Sequence, residues 1–322
     1  MALVAGIDEA GFGPLLGPLV VSGSLFEVPD GAEGESLWRL LAAAVSKRAS
    51  KRHGRIAIAD SKKLYAGLRG NGRLDHLERG VLAMLASREL PPASLRALLE
   101  AISPGAIETA GGYPWYHGVD LSLPRGAETA DIVLAGMGLR KVMDSRGVKL
   151  LEIRCETVFE GEFNRLAGAA NKSLMLFDVT CRLLMRLWRA AGSRRLIVHA
   201  DRQGGRQHYL GGLQRAFEGC SFKIIEEDNN TSAYRITSGT KEAEFHFTVG
   251  GEEAHLPVAL ASMASKYLRE LFMELLNGFW AGWVPGLAPT AGYYTDGRRF
   301  HRDIAPAVKQ LGIDERMLYR IC

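Results

Sequence analysis

Acidic residues stand at positions in this chain where carboxylates could do chemistry. Asp8 and Glu9 are adjacent in the stretch GIDEAGFGPLLGPLVV at residues 6–21, Asp201 follows the apolar run RRLIVHA, and Glu270 lies in a long helical segment. Adjacent carboxylates repel each other, so the pair lowers stability unless water screens it or a cation neutralises it. Carboxylate oxygens near strand ends are the hard ligands that Mg²⁺ and Mn²⁺ prefer. These acids therefore predict a divalent-metal site.

This donor set indicates phosphodiester hydrolysis. Two cations about 4 Å apart, one activating water and one stabilising the leaving oxygen, are the usual arrangement for that reaction. Neighbouring residues on a regular strand point to opposite faces of a sheet, so Asp8 and Glu9 can share one site only if the chain bends between them. Gly11 makes such a bend possible.

The segment 257–277 predicts a long helix that would carry part of the site. Its apolar residues recur at helical spacing and form one stripe of Leu260, Met263, Tyr267 and Leu271. A neighbouring stripe carries a hydroxyl, an ammonium and a carboxylate on Ser262, Lys266 and Glu270. A Lys–Glu pair at this spacing is by itself an ordinary surface pair worth roughly a few tenths of a kcal/mol. Beside the other acids, the stripe predicts a polar rim of the same site.

Short apolar runs predict the strands that position these residues. Residues 3–8 and 18–26 predict a hairpin, because the glycines and the proline between them exclude a helix. Further strands are predicted at 56–60, 150–159, 194–201, 221–228 and 242–251. Helices are predicted at 36–49 and 160–191, and helical periodicity recurs within 66–147. The pattern indicates an α/β fold.

The overall composition limits the class of protein. With 322 residues and 47% hydrophobic content, the chain can bury a large core as one elaborated domain or as two. It starts without a basic segment and contains no apolar run of membrane-spanning length, so we predict a soluble, cytoplasmic protein. The cysteines are far apart and form no CxxC pair, which indicates neither a zinc site nor a disulfide framework.

The positive charge is concentrated in two clusters. The net charge is +4 and the calculated pI about 8.9. Seven cations and one acid lie from Lys47 to Lys63, and seven arginines and one acid lie from Arg182 to Arg206. Either cluster alone is more simply a solvated face. Because both flank the candidate carboxylates, they favour a nucleic-acid partner whose phosphates they would contact.

In their order along the chain, these motifs resemble those of the type 2 ribonucleases H, the ribonuclease HII family. The resemblance is carried by the following segments: GIDEAGFGPLLGPLVV at 6–21, DSKKL at 60–64, the strand-terminal Asp201, ASMASKYLRE at 261–270 and TAGYYTDG at 290–297. Residues 149–190 are also similar to the segment that precedes the third acid of that family.

The resemblance implies both a fold and an activity. The fold would be α/β, a ribonuclease H-like mixed five-stranded sheet flanked by helices, forming a single domain over 1–322. It would carry a largely helical insertion at about 66–147 and a C-terminal helical extension at about 278–322. The activity would be hydrolysis, with two Mg²⁺ or Mn²⁺ ions, of the RNA strand of RNA/DNA hybrids or of ribonucleotides embedded in DNA.

The same resemblance assigns roles to individual residues. The catalytic, metal-binding acids would be Asp8, Glu9, Asp201 and Glu270. The residues contacting the substrate backbone would be Lys62, Ser262 and Lys266, and Tyr293 would stack on the sugar next to the cleavage site. The loop whose main chain senses a 2′-hydroxyl would contain Gly11, Phe12 and Gly13, the glycines allowing close approach.

The chain departs from the family pattern at several of these positions. Phe12 stands where the family has an arginine, Glu270 replaces an aspartate, and DRQGGR at 201–206 replaces a shorter turn. A glutamate still binds a hard cation. The loss of a charge at Phe12 predicts altered substrate preference more than altered catalysis.

The segment GGYPWYHG at residues 111–118 concentrates aromatic residues within the insertion. Tyr113, Trp115, Tyr116 and His117 have the composition of a base-stacking platform. Aromatic residues that fill a small helical subdomain give the same composition. Packing is the favoured interpretation.

Other classes of function remain open from the residues alone. One is a nucleic-acid-binding ribonuclease H-like module with other or no nuclease activity. Another is a sugar-kinase or actin-like ATPase, which also begins with a strand, an acid and a glycine turn, but no second phosphate loop of that type is present. A dinucleotide site is disfavoured because Gly11, Gly13 and Gly17 have the wrong spacing and a strand follows them.

Overall fold

The computed structural model of the chain describes residues 1–49, 54–65, 74–118, 120–169 and 171–320. Lys51 and Arg52 of the first basic cluster lie outside these ranges. The strands are β1 (Ala2–Ala10), β2 (Leu19–Val28), β3 (Val45–Ser46), β4 (Ile56–Ala57), β5 (Lys149–Val158), β6 (Leu196–Asp201), β7 (Ser221–Glu227), β8 (Thr231–Ser238) and β9 (Lys241–Thr248).

The helices fall into three groups along the chain. Before and within the insertion are α1 (Leu37–Leu40), α2 (Ser61–Tyr65), α3 (Asp75–Ala86), α4 (Leu95–Ile102), α5 (Gly105–Ala110) and α6 (Thr129–Arg146). Between the sheet strands are α7 (Glu160–Ala169), α8 (Lys172–Ala191) and α9 (Leu210–Ala216). The C-terminal group is α10 (Gly251–Ala254), α11 (Leu256–Trp283), α12 (Tyr294–Leu311) and α13 (Glu315–Leu318). The predicted helical character of the insertion and of the C-terminal extension is therefore confirmed.

A mixed sheet in the order β5-β2-β1-β6-β9-β8-β7 organises the fold. β1 is antiparallel to β2 and parallel to β6, and β6 is in turn parallel to β9. This confirms the α/β fold class. The sheet has seven strands and not the five predicted. One reason is β8, which the sequence pattern did not reveal: the chain reverses at Asp228, whose Oδ1 accepts hydrogen bonds from the amides of Asn230 and Thr231.

Each face of the sheet buries its own hydrophobic core. Val4 packs into the core that contains α11 and the insertion helices, whereas its neighbours Leu3 and Ala5 pack into the core that contains α8. This alternation follows from the period of a strand. The start of α11 lies directly against β1 at Gly6, where a Cβ would come within 2.1 Å of the Pro257 carbonyl carbon. The sheet and α11 are therefore fixed against each other beside the ends of β1 and β6.

The long helix α11 behaves as its pattern predicts. Its apolar stripe is fully buried and comprises Leu260, Met263, Tyr267 and Leu271. The helix is 28 residues long, which is longer than the predicted segment at both ends. No helix within the described ranges is long and apolar enough to cross a membrane.

Three local predictions need correction. The helix predicted at 36–49 ends at Leu40, because Val45–Ser46 pairs as a parallel strand with Ile56–Ala57. The strand predicted at 56–60 is limited to that pairing, in a sheet separate from the main one. The helix predicted at 160–191 is two helices, since the Asn171 side chain caps the second by accepting a hydrogen bond from the amide of Leu174.

The aromatic residues of the insertion are packed inside the protein. Tyr113, Trp115 and Tyr116 are each at most 5% exposed. The ring centroid of Trp115 lies 6.1 Å from that of Trp280, and that of Tyr113 lies 5.2 Å from that of Phe159. The packing interpretation is confirmed for these three rings, whereas His117, the fourth residue of the predicted group, is exposed.

Candidate active site: an acidic cavity beside the glycine-rich loop

A cavity of about 210 Å³ lies where β1 runs into the glycine-rich loop, beside the end of β6 and the side of α11. Segments distant in the sequence form its walls: residues 8–14, residues 60–62, Asp201, Glu252, one side of α11 and Tyr293. The acids among its lining residues are Asp8, Glu9, Asp60, Asp201 and Glu252. The structure thus brings together three of the four acids predicted from the sequence.

Asp8 and Glu9 both line the cavity although the ladder of β1 is regular. The pairing with β2 continues without interruption through Ala10, opposite Val20. The predicted bend therefore does not lie between the two acids; the chain leaves the strand at Gly11, where φ is 91°. The Glu9 amide donates a hydrogen bond to Asp8 Oδ1 at 2.8 Å. Because the cavity lies at the strand end, both side chains reach it.

Asp201 and Glu252 come from the ends of two neighbouring parallel strands, β6 and β9. Asp201 is the last residue of β6, and its Oδ1 accepts a hydrogen bond from the Gly251 amide at 2.9 Å. Glu252 follows in α10, where its Oε2 is buried and has no hydrogen-bond partner among the described residues. Sequence reasoning missed Glu252. The available signal was the GGEEA segment directly after the strand β9.

The proximity and burial of these acids oppose their ionisation. Burial, together with repulsion from Glu9, raises the pKa of Asp8 well above its usual value. Burial followed by repulsion from Asp201 raises the pKa of Glu9 to about 7, although Lys62 acts in the opposite direction. Burial, with a further contribution from Asp201, raises the pKa of Glu252 to about 7. A bound cation would relieve this repulsion.

Glu270 is not among the residues that line the cavity. Its Oε1 accepts hydrogen bonds from Lys266 Nζ at 2.5 Å and from Arg269 Nη1 at 3.3 Å, and its Oε2 accepts one from the Tyr65 hydroxyl at 2.8 Å. The i, i+4 spacing that suggested a shared rim instead pairs Glu270 with Lys266. The role of Glu270 as a ligand with the other three acids stays a prediction, since its carboxylate is bonded to Lys266 and Arg269, which both line the cavity.

All of the predicted substrate-contacting residues line the cavity: Gly11, Phe12, Gly13, Lys62, Ser262, Lys266 and Tyr293. The Ser262 hydroxyl donates a hydrogen bond to Ser61 Oγ at 3.0 Å. The Tyr293 ring is 53% exposed, with the guanidinium of Arg269 at 6.0 Å from its centroid. Lys172 Nζ lies 5.2 Å from the centroid of the Phe12 ring. Hydroxyl, ammonium, aromatic and main-chain groups thus surround the acids.

The two basic clusters differ in their relation to the cavity. Lys62 of the first cluster lines it. In the second cluster, Arg186 pairs with Glu152 and Arg194 pairs with Glu27. These pairs fix helix α8 and the chain after it to the sheet. The prediction that both clusters serve the carboxylate site is therefore supported only for the first.

The acids of the cavity fit a divalent cation in their chemistry but not in their present arrangement. The donor set is suitable, because oxygen ligands on several carboxylates, one of them with an unpartnered buried oxygen, suit Mg²⁺ or Mn²⁺. Within the part of the chain that the structure describes, however, no group of three or more His, Cys, Asp or Glu side chains is arranged so that it could hold a metal ion. Side-chain rearrangement would have to accompany binding.

A scan against models of known protein families gives no match, and neither does a search of curated proteins. Solved structures to which the chain is similar include ribonuclease HII of Archaeoglobus fulgidus in its complex with PCNA, at 14% identity over 99% of this chain and 94% of that chain, TM-score 0.40. Ribonuclease H2 of Pyrococcus horikoshii has 13% identity over 98% and 92%, TM-score 0.43. A point mutant of Bst-RNase HIII has 15% identity over 99% and 66%, TM-score 0.47. Likenesses this distant assign no activity to the chain.

Proposed function

We propose that this protein is a metal-dependent endonuclease, resembling ribonuclease HII, that hydrolyses the RNA strand of RNA/DNA hybrids or ribonucleotides embedded in DNA. The observation that carries the proposal is the composition of the cavity. Three predicted acids and all of the predicted substrate-contacting residues, taken from separate parts of the sequence, line one cavity. This grouping supports the proposal, because the motifs that predict these residues lie far apart along the chain.

The acids would hold Mg²⁺ or Mn²⁺. Asp8, Glu9 and Asp201 are the proposed ligands, and Glu252 takes the place that the sequence motifs assign to Glu270. When bound, the ions would supply Lewis acidity and an activated water. The protein's own part is to hold several carboxylates at one place, where burial and mutual repulsion raise the pKa of Asp8, Glu9 and Glu252.

The surrounding groups suit a nucleic-acid strand. Lys62 and Lys266 are cations at the rim, able to face phosphates. The exposed Tyr293 ring can pack against a sugar or a base. Gly11 and Gly13 let the main chain approach a 2′-hydroxyl closely, which is the group that distinguishes RNA from DNA. Nucleic acid is therefore the proposed partner.

The test uses labelled DNA, RNA, RNA/DNA hybrid and a DNA duplex with one ribonucleotide, each incubated with Mg²⁺, Mn²⁺ or EDTA. We expect metal-dependent cleavage confined to the substrates that contain ribonucleotides within a duplex. Cleavage in EDTA, or ATP hydrolysis without cleavage of any nucleic acid, would contradict the proposal. The ATP measurement also tests the kinase-like or actin-like alternative.

A matched pair of variants tests the ligand assignment. Glu252→Gln should weaken Mn²⁺ affinity by more than about 10-fold if Glu252 is a ligand, since even outer residues of metal sites change affinity by about 10- to 100-fold. Glu270→Gln removes the charge that pairs with Lys266 and should change Mn²⁺ affinity less. Calorimetric titration of both variants measures this directly. The reverse order would restore Glu270 as the ligand.

A second candidate is a module that binds nucleic acid without cutting it. The observation that favours it is the engagement of Glu270 by Lys266, Arg269 and Tyr65, which leaves the cavity without the fourth predicted acid. Binding of the same duplexes with no cleavage under any metal condition would support this candidate.

A further inference from the structure

Arg320, near the C-terminus, has its side chain inside the protein against the glycine-rich loop, defined here as residues 11–17. The residue is fully buried. Its guanidinium donates hydrogen bonds to the main-chain carbonyls of Gly11 and Gly17, and a longer one of 3.4 Å to that of Pro14. Its own amide donates to the Leu15 carbonyl at 2.9 Å. Arg320 thus donates hydrogen bonds to carbonyls at both ends and in the middle of the loop.

A second buried guanidinium and a backbone pairing hold the same loop. Arg269 Nη2 donates to the Leu16 carbonyl at 3.1 Å and to the Ala291 carbonyl at 3.0 Å. The amides of Leu15 and Leu16 both donate to the Gly292 carbonyl, at 2.7 and 3.3 Å. Gly292 precedes Tyr293, a cavity residue. The loop and the Tyr293 segment therefore form one connected unit.

A buried carboxylate lies beside Arg320 and completes the network. Glu160 Oε1 accepts hydrogen bonds from the Gly17 amide and from the Tyr116 hydroxyl, each at 3.0 Å. Glu160 is fully buried, and burial raises the pKa of its carboxyl to about 7, although the charge of Arg320 acts in the opposite direction. The buried guanidinium and the buried carboxyl therefore stabilise each other. Through Tyr116 the insertion is also joined to the loop.

The chemistry of the loop explains why such a network is needed. Gly11 and Gly17 have φ values of 91° and 82°, so the loop depends on conformations that only glycine adopts readily. Glycine also leaves the main chain with large conformational freedom, and ordering it has an entropic cost. A planar guanidinium with several fixed donors suits carbonyls that converge on one point, whereas a lysine ammonium provides a single point charge.

From these contacts we infer that Arg320 is a positioning residue for the candidate active site: it holds the glycine-rich loop in the conformation that presents Gly11, Phe12 and Gly13 to the substrate. Arg320 is not among the residues lining the cavity, so it acts through the loop and not by touching substrate. The inference rests on the proposed function, because the substrate is the nucleic acid proposed above. The effect of Arg320 on the conformation of the loop can be measured without an activity assay.

The test compares Arg320→Lys with Arg316→Lys, an exposed arginine of the same C-terminal segment. Lysine keeps the charge of Arg320 but cannot reach several carbonyls together. We expect KM for a duplex containing one ribonucleotide to rise by about 10- to 100-fold in Arg320→Lys with a smaller change in kcat, the pattern of lost binding contacts. Arg316→Lys should leave both constants at the wild-type values.

Hydrogen exchange provides a readout that needs no cleavage. In Arg320→Lys we expect the amides of residues 11–17 to exchange at least about 10-fold faster, while those of β6 (Leu196–Asp201) keep their wild-type rate. A merely structural role for Arg320 would instead accelerate exchange in both segments. Arg320→Met, which also removes the charge, should enlarge the local effect; if it does not fold, Arg320→Lys still decides.

The outcomes separate the two proposals. If the wild-type protein cleaves and Arg320→Lys matches Arg316→Lys in KM and in loop exchange, the positioning role is wrong. If the wild-type protein cleaves no substrate but loop exchange rises only in Arg320→Lys, the proposed nuclease function fails and the control of the loop by Arg320 stands. Equal acceleration of exchange in the loop and in β6 would also overturn the inference, because the arginine would then serve global stability.

Discussion

Glu78 and the acids that line the cavity are buried carboxylates with opposite surroundings. Glu78, on α3, is fully buried and accepts hydrogen bonds from the amides of Arg125, Gly126 and Ala127, at 2.6 to 2.9 Å, and from the Tyr267 hydroxyl at 2.8 Å. The cavity acids face one another, and burial together with repulsion among them raises the pKa of Asp8 and of Glu9. Glu78 is surrounded by hydrogen-bond donors, whereas the cavity acids have fewer donors, such as the amides of Glu9 and Gly251, and are surrounded by one another.

The difference indicates what each group is for. A buried carboxylate that is fully hydrogen-bonded holds chain segments together, and Glu78 fixes the segment 125–127 to α3 and α11. Carboxylates brought together so that they repel one another lower the stability of the protein, and a cation from outside it would relieve that repulsion. Substitutions in the two groups should therefore have opposite effects on stability and on activity.

The largest effect is expected for Asp201→Asn. If the cavity acids bind the catalytic cations, cleavage should fall by more than about 100-fold, since even outer residues of metal sites cost about 10- to 100-fold. Thermal stability of the metal-free protein should be unchanged or higher, because one charge of the repelling cluster is removed. Cleavage assays and thermal unfolding in EDTA measure both. A variant that cuts normally, or that unfolds, would show that Asp201 is structural.

The opposite result is expected for Glu78→Gln. The amide group of glutamine would face main-chain N–H donors that now contact a carboxylate oxygen, leaving buried donors unpaired. We expect a loss of about 3 kcal/mol in the free energy of unfolding, with cleavage per folded molecule unchanged. Urea unfolding monitored by tryptophan fluorescence gives the value. A stability equal to that of the wild type would remove the contrast between the two groups.

The pH dependence of stability tests whether the cavity acids destabilise the folded protein. The folded-state pKa of Glu9 is about 7, above its usual value of 4.5, so between those pH values the folded protein binds more protons than the unfolded chain. Stability should therefore fall as the pH rises from about 5 to about 8 in EDTA. Glu9→Gln should be more stable than the wild type at pH 8 by up to about 3 kcal/mol, and equal to it at pH 4.

Cation binding supplies the control for that measurement. Added Mn²⁺ should raise the stability of the wild type at pH 8 and raise that of Glu9→Gln less, because binding to the folded state alone adds to its stability. Urea unfolding at each pH, with and without Mn²⁺, is the experiment. A difference between the two proteins that is independent of pH would show that the carboxylate of Glu9 is not destabilised by its surroundings.

The smallest effect is expected at Phe12, which lines the cavity. The ribonuclease HII family, whose motifs this sequence resembles, has an arginine at that position. A charged hydrogen bond is worth roughly 1.5 to 3 kcal/mol. Without an arginine at this position, the preference for a single embedded ribonucleotide should be lower, by about one to two orders of magnitude, than that of an enzyme with arginine there. Phe12→Arg should restore only part of this, since Lys172 Nζ already lies 5.2 Å from the Phe12 ring and would repel a second cation.

The measurement for Phe12 is the ratio of cleavage rates on a duplex with one ribonucleotide and on a continuous hybrid. Both proteins must be compared at the same salt concentration, because phosphate contacts make absolute rates salt-dependent. If the wild type already prefers the single ribonucleotide and Phe12→Arg leaves the ratio unchanged, Phe12 has no part in recognition.

Local patterns in the sequence determined much of the fold and of the site. The hairpin of β1 and β2 follows from apolar runs around a loop of glycines and proline, and the buried stripe of α11 follows from helical spacing. Asp8, Glu9 and Asp201 could be identified because they lie at or near the ends of apolar runs that predict buried strands.

Only the tertiary structure decided which further groups join that site. The Glu270 carboxylate accepts a hydrogen bond from the Tyr65 hydroxyl, 205 positions away. Glu252 lies in the cavity because the amide of its neighbour Gly251 donates a hydrogen bond to Asp201. Arg320 reaches Gly11 across 309 positions. Such contacts depend on how separate helices and loops pack, and no periodicity along the chain encodes them. For that reason the acids near the strand ends could be predicted from the sequence alone. Which residues surround these acids and hold their loop was decided by the packing of helices and loops.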